Sequence, residues 1–108
     1  MAIPLQITFR KMEPSPYVRE RIRERAEKLD GLSSRITGCR VVVEAPHRHH
    51  HKGRLYTVAV EVRLPGAMLA SHRHPAGKHA HEDIYVALRD SFDSIERQID
   101  DFRRRRQE

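Results

Sequence analysis

The chain has 108 residues, with 21 lysines and arginines against 15 aspartates and glutamates, a formal charge of +6 and a pI near 10.1. That length suits a single domain, residues 1–108, around one modest core, and the charge favours polyanionic partners such as nucleic acid. No apolar run reaches the roughly 18 residues of a membrane span, Met1-Ala2-Ile3-Pro4 lacks the basic and apolar regions of a signal peptide, and the lone Cys39 can close no internal disulfide, so a cytoplasmic protein is expected.

Leu5, Ile7 and Phe9 alternate with Gln6, Thr8 and Arg10, the period of a half-buried first strand. Ser15 then offers an N-cap with Pro16 at the first helical position, and Val18, Ile22, Ala26 and Leu29 follow at helical spacing until Gly31, predicting a helix from about Pro16 to Asp30. Val41 and Val43 mark a second strand, in which Cys39 reads as a small buried hydrophobe rather than a nucleophile. Tyr56, Val58, Val60, Val62 and Leu64 alternate with Thr57, Ala59, Glu61 and Arg63 in a third strand. Pro65-Gly66 is a tight-turn dipeptide, so about Ala67 to His74 should return as a fourth strand. After Pro75-Ala76-Gly77 comes the last helix, opened by Asp83-Ile84-Tyr85-Val86-Ala87-Leu88-Arg89-Asp90. Ile84, Leu88, Ile95, Ile99 and Phe102 share one of its faces, with Phe92 at the border.

The order is strand, helix, three strands, helix, with helices expected on one face of a four-stranded sheet: a two-layer α+β sandwich. The helical crossover makes the first two strands parallel, and the other neighbours are hairpins. Matched periodicity places Leu5, Ile7, Phe9, Val18, Ile22, Leu29, Val41, Val43, Val58, Val60, Val62, Ile84, Leu88, Ile95 and Ile99 in the core.

Two features carry candidate chemistry. On the first helix Arg21, Arg25 and Lys28 line one border of the apolar stripe and Arg19 and Arg23 the other, with Glu20, Glu24 and Glu27 outermost. Pairs Glu20 with Arg23 and Glu24 with Lys28 would support a solvated helix on their own. Together with Arg89, Arg97 and the terminal Arg103, Arg104, Arg105 and Arg106, the border residues can also form a positive surface that follows phosphates without reading sequence. Residues 103–108 read equally as a flexible solvated tail.

The second feature is histidine. His47, His49, His50 and His51 crowd one loop with Arg48 and Lys52, and His72, His74, His79 and His81 surround the end of the fourth strand. Imidazoles at positions 72 and 74 would share a strand face and could hold zinc, copper or nickel, but no carboxylate or thiolate joins them at a recognised spacing and the loop cations oppose a metal, so no metal or other cofactor is assigned. The loop Pro46 to Gly53 reads either as an ordinary polar hairpin end or as an RNA contact through stacking and protonated imidazole, and it is expected to be mobile in the free protein and ordered only against RNA. No glycine-rich loop, nucleophile elbow or metalloprotease helix is present, so neither an enzyme nor a small-molecule substrate is expected.

The element order, the Ile7-Thr8 strand and above all Asp83, Tyr85, Ala87 and Leu88 at the last helix start resemble the ribosome hibernation-promoting factor and ribosome-associated inhibitor family, also labelled sigma-54 modulation proteins. The resemblance covers nearly the whole chain, and Cys39 to Gly53 looks like a subgroup with a histidine-rich hairpin. It implies a double-stranded-RNA-binding-like fold in the decoding region of the small ribosomal subunit, where it excludes tRNA and messenger RNA. The candidate RNA face is then Arg19, Arg21, Arg23, Arg25, Lys28, the 47–52 loop, Arg89, Arg97 and Arg103 to Arg106, with the small subunit and its rRNA as partner. Neither a cold-shock domain nor a dimerising tail follows, so the chain reads as a short form or an N-terminal module. Two other classes stay open: a histidine-rich metal-binding or sensing module, and a transcription-related regulator, for which no helix-turn-helix is recognisable.

Overall fold

In the computed structural model, described over residues 3–45, 48–49, 53–71 and 80–106, the order is β1 (Leu5–Arg10), α1 (Pro16–Leu32), β2 (Gly38–Glu44), β3 (Arg48–His49), β4 (Gly53–Arg54), β5 (Tyr56–Leu64), β6 (Ala67–Ala70), β7 (Ala80–His81) and α2 (Ile84–Arg106). The main sheet has the order β1-β2-β5-β6, and β7 also pairs β5. As expected from the crossover, β1 lies parallel to β2, Leu5 opposite Cys39 and Phe9 opposite Val43. The β2–β5 hairpin sets Val41 against Val60 and Val43 against Val58, so these four valines share the face the helices cover, while Val42 opposite Ala59 lies on the other. The short β3–β4 ribbon extends this hairpin, Arg48 opposite Arg54. Pro65 and Gly66 close the next hairpin, and Gly66 takes φ 77°, the left-handed value that the third position of a type II turn requires.

Val18, Ile22, Leu29, Val41, Val43, Val58, Val60, Val62, Leu88, Ile95 and Ile99 are buried as the periodicity predicts, and each branched side chain so removed from water contributes roughly 1.5–3 kcal/mol. Leu5, Ile7, Phe9 and Ile84 are only half-buried, packed at the margin of the same cluster, because β1 is an edge strand and Ile84 lies in the exposed first turn of α2. Phe92, expected at the border, is fully buried. Ala87, Ser91 and Ser94 are also fully inside, a stripe of small residues turned towards the sheet. The Ser91 hydroxyl donates to the Val58 carbonyl, direct evidence of how near α2 lies to β5.

Helix ends follow local chemistry. The Val18 N–H donates to the Ser15 hydroxyl at 3.3 Å and Pro16 opens α1. The helix continues through Gly31 to Leu32, past the expected stop, and closes with Ser33 N–H on the Leu29 carbonyl at 3.2 Å. At α2 the Tyr85 N–H donates to Asp83 Oδ1 at 2.9 Å, so Asp83 is the cap rather than a first-turn residue.

The fourth strand departs from expectation. It is two pieces on one edge of β5: Glu61 faces Ala70, whereas Thr57 faces Ala80. An unbroken ladder would bring residue 74 opposite Thr57, so the register shifts by six residues between the two pieces, and residues 72–74 of the expected strand lie outside the described residues. Among the described residues, 58–60 of β5 have no strand partner on that edge, and side chains meet their backbone there. The Val60 N–H donates to the buried Ser71 hydroxyl at 2.9 Å, while Ser91 serves the Val58 carbonyl. The Gln98 amide closes the join by donating to the Ala70 carbonyl at 3.0 Å and to Ser94 Oγ at 3.1 Å. No helix among the described residues is long and apolar enough to cross a membrane.

Candidate nucleic-acid interface

The two helices run parallel, because contact partners rise together along both: Arg21 meets Tyr85, Arg25 meets Phe92, Asp93 and Glu96, and Lys28 meets Glu96. Their first turns therefore share one end of the helical layer, and the last turns share the other. Five of the predicted basic residues lie on α1 and the rest of those described lie on α2, apart from Arg48 in β3.

Arg25, expected on the basic border of α1, is drawn into the contact between the two helices. Its Nη2 lies 2.8 Å from Asp93 Oδ1 and 2.9 Å from Glu96 Oε2, its guanidinium stacks 5.5 Å from the Phe92 ring centre, and its side chain is only 17% exposed. Burial by itself lowers the guanidinium pKa, but the hydrogen bonds to Asp93 and Glu96 outweigh it and the net shift is upward, so the charge is held firmly. Its Nε is buried without a hydrogen-bond partner among the described residues. Arg25 thus fastens α1 to α2, a role that intrahelical spacing could not reveal. Lys28 leans on the same carboxylate, 3.8 Å from Glu96, and Glu24 pairs with Arg21 at 3.6 Å rather than with Lys28.

The remaining cations divide by how they are engaged. Arg21, Arg23, Arg89 and Arg104 pair with Glu24, Glu20, Asp90 and Asp100, but all four are more than half exposed. Such surface pairs are worth about 0–1 kcal/mol and exchange readily for a phosphate. Arg19 is half-buried over the Phe9 ring at 5.4 Å. Arg97, Arg103 and Arg105 are exposed and make no ion pair among the described residues. Asp93, Glu96 and Asp100 interleave with the arginines on α2, and with Leu32, Arg97, Ile99 and Arg103 they line an open groove of about 370 Å³. The exposed cations without an ion pair among the described residues therefore gather at the last-turn end, Arg97 with Arg103 and Arg105, whereas Arg21, Arg23 and Arg89 at the first-turn end are held in exposed pairs. α2 runs through Arg106, so residues 103–106 form its last turn, where cations also complement the helix dipole.

Of the loop residues, Arg48 and His49 are backbone-paired in β3, whereas His47, His50, His51 and Lys52, like His72, His74 and His79, lie outside the described residues. His81 is described: its Nδ1 accepts the Asp83 N–H at 2.9 Å, which employs it at the α2 entrance. Among the described residues no three His, Cys, Asp or Glu side chains gather into a metal site. Cys39 is buried, and burial pushes its thiol pKa up to about 12, the opposite of an activated nucleophile.

The profile of the family described as Sigma 54 modulation protein / S30EA ribosomal protein matches residues 5–107. A ribosome hibernation promotion factor from Deinococcus radiodurans is 28% identical over 100 residues, which are 93% of this chain and 49% of that protein, so the chain spans about half the length of this relative. Two solved structures share the fold. A ribosomal subunit interface protein from Coxiella burnetii superimposes with TM-score 0.72 at 16% identity, covering 94% of this chain and 98% of that one. The N-terminal domain of Protein Y from Thermus thermophilus gives 0.73 at 21% identity, covering 95% of this chain and 100% of that one.

Proposed function

The chain belongs to the Sigma 54 modulation protein / S30EA ribosomal protein family, and on that premise we propose that it is a cytoplasmic ribosome-associated inhibitor of translation, a hibernation factor that occupies the decoding region of the small subunit. The observation that carries this reading is the basic end of α2: Arg97, Arg103 and Arg105, exposed and unpaired among the described residues, on a helix whose other face is anchored in the core. Folded ribosomal RNA is a polyanion recognised through shape and phosphates, and a rigid module with fixed cations suits it. Blocking tRNA and messenger RNA by occupancy needs no catalytic group. The half-exposed Arg21, Arg23, Arg89 and Arg104 would exchange their surface carboxylates for phosphates at small cost.

Co-sedimentation with isolated small subunits, large subunits and whole ribosomes tests the proposal. Binding to small subunits should weaken with salt, and Arg97→Gln, Arg103→Gln and Arg105→Gln together should flatten the logarithmic salt slope by about 0.7–0.9 for each phosphate contact removed. A chain that pellets only with large subunits, or with none, would refute the assignment.

A further inference from the structure

Folding leaves three large apolar side chains exposed among the described residues, Tyr17, Met68 and Tyr85, and two of them flank one arginine. Tyr17 stands in the first turn of α1, one turn before Arg21 and on the same side of the helix, and it is 79% exposed. Its side chain makes no hydrogen bond or ring contact among the described residues. The Arg21 guanidinium lies over the Tyr85 ring, 5.1 Å from its centre, and Tyr85 is itself 38% exposed in the first turn of α2. Parallel packing of the helices brings these two first turns to one end of the layer.

Three planar groups are thus held at one end of the molecule: Arg21 and Tyr85 spend one face on each other, and the Tyr17 ring stands largely in solvent. The Arg21 side chain is 53% exposed, and its ion pair with Glu24 engages Nε at the edge of the guanidinium plane. An aromatic ring and an arginine plane are what an unpaired base stacks on, since every base has a π-face and single-stranded RNA can splay its bases outward. Arg89, one turn after Tyr85 on the same side of α2, is exposed as well, and can meet the adjoining phosphates. A paired helix offers phosphates but no free base, so it would leave the rings idle.

We propose that Tyr17, Arg21 and Tyr85 form a stacking site for an unpaired nucleobase of an RNA strand. The site deepens the ribosome-binding reading and rests on it for the choice of RNA. It accounts for an exposed tyrosine that contributes nothing to folding, and it fixes which end of the helical layer meets a single-stranded segment.

The chain has three tyrosines and no tryptophan, so its intrinsic emission reports tyrosine alone. An adenine RNA decamer should quench that emission and bind more tightly than a decamer of equal phosphate number whose nucleotides lack bases. Tyr17→Ala should weaken binding of the adenine decamer by roughly five- to a hundred-fold, while Tyr17→Phe, which keeps the ring, should retain it. Equal affinity for the two decamers, or an unchanged affinity in Tyr17→Ala, would overturn the site. Ribosome co-sedimentation run in parallel separates the two ideas. Small-subunit binding with no discrimination between decamers removes the stacking site alone, whereas discrimination without small-subunit binding leaves the site standing and removes the ribosomal reading.

Discussion

Arg25 shows how one side chain can change meaning between sequence and structure. Read along α1, it borders an apolar stripe beside Arg21 and Lys28, and nothing in that helix indicates that Asp93 and Glu96 lie opposite, 68 and 71 residues away. Two charge-assisted hydrogen bonds gained there are set against one buried Nε left without a partner. Arg25→Ala should therefore destabilise the fold by about 1–3 kcal/mol in urea unfolding. It should leave the salt slope of ribosome binding unchanged, whereas a phosphate-contacting arginine would show the reverse pattern. Cys39 behaves as the strand pattern suggested. Its folded-state thiol, raised from 9.0 to about 12 by burial, contributes stability that is complete below about pH 9 and is lost as pH climbs towards 12. Between pH 8 and pH 10.5 the protein should lose about 2 kcal/mol more than Cys39→Ala does. Iodoacetamide at pH 8 should label the thiol only after denaturation.

At the scale of elements, periodicity located both helices and three of the strands, and it put the β5 valines on the correct face. It could do so because a strand alternates every two residues and a helix turns every 3.6, and this chain keeps both rhythms cleanly. It missed the division of the fourth strand, which depends on where the chain leaves and rejoins β5 rather than on any repeating pattern. It also passed over Ser71, Ser91 and Ser94, because a hydroxyl residue reads as surface unless its buried partner is known. A backbone N–H or carbonyl stranded inside a protein costs about 1–3 kcal/mol. Ser71→Ala and Ser91→Ala should each destabilise by that amount in chemical denaturation. Substitution of the exposed Ser34 should change little. Equal effects at all three positions would show that the serines are not replacing a strand.

For the whole molecule, the α+β layering and the family were legible from element order together with Asp83, Tyr85, Ala87 and Leu88. The reason is visible in the structure. Asp83 caps α2, Ala87 lets it sit close to the sheet and Leu88 enters the core, so three of the four residues that carry the resemblance are also fold-determining. The basic surface was legible only as a list of cations. Which of them are available depends on how two helices, remote in sequence, share their carboxylates. The outcome is a layer whose middle is tied up across the helices through Arg25, while Arg97, Arg103 and Arg105 at its last-turn end make no ion pair among the described residues.

The interrupted fourth strand bears on how copies of this chain would meet at high concentration. A growing fibril or a strand-swapped pair needs a long straight row of unused amide and carbonyl groups to copy. Among the described residues that row is interrupted on the β5 side, since β6 has four residues, β7 has two, and between them hydroxyl groups have taken the Val60 N–H and the Val58 carbonyl. The six-residue β1 is the continuous border left among the described strands of the main sheet. Among the described strands, self-association by strand addition is accordingly directed to β1, whose continuous row of backbone groups is the one a second copy could extend.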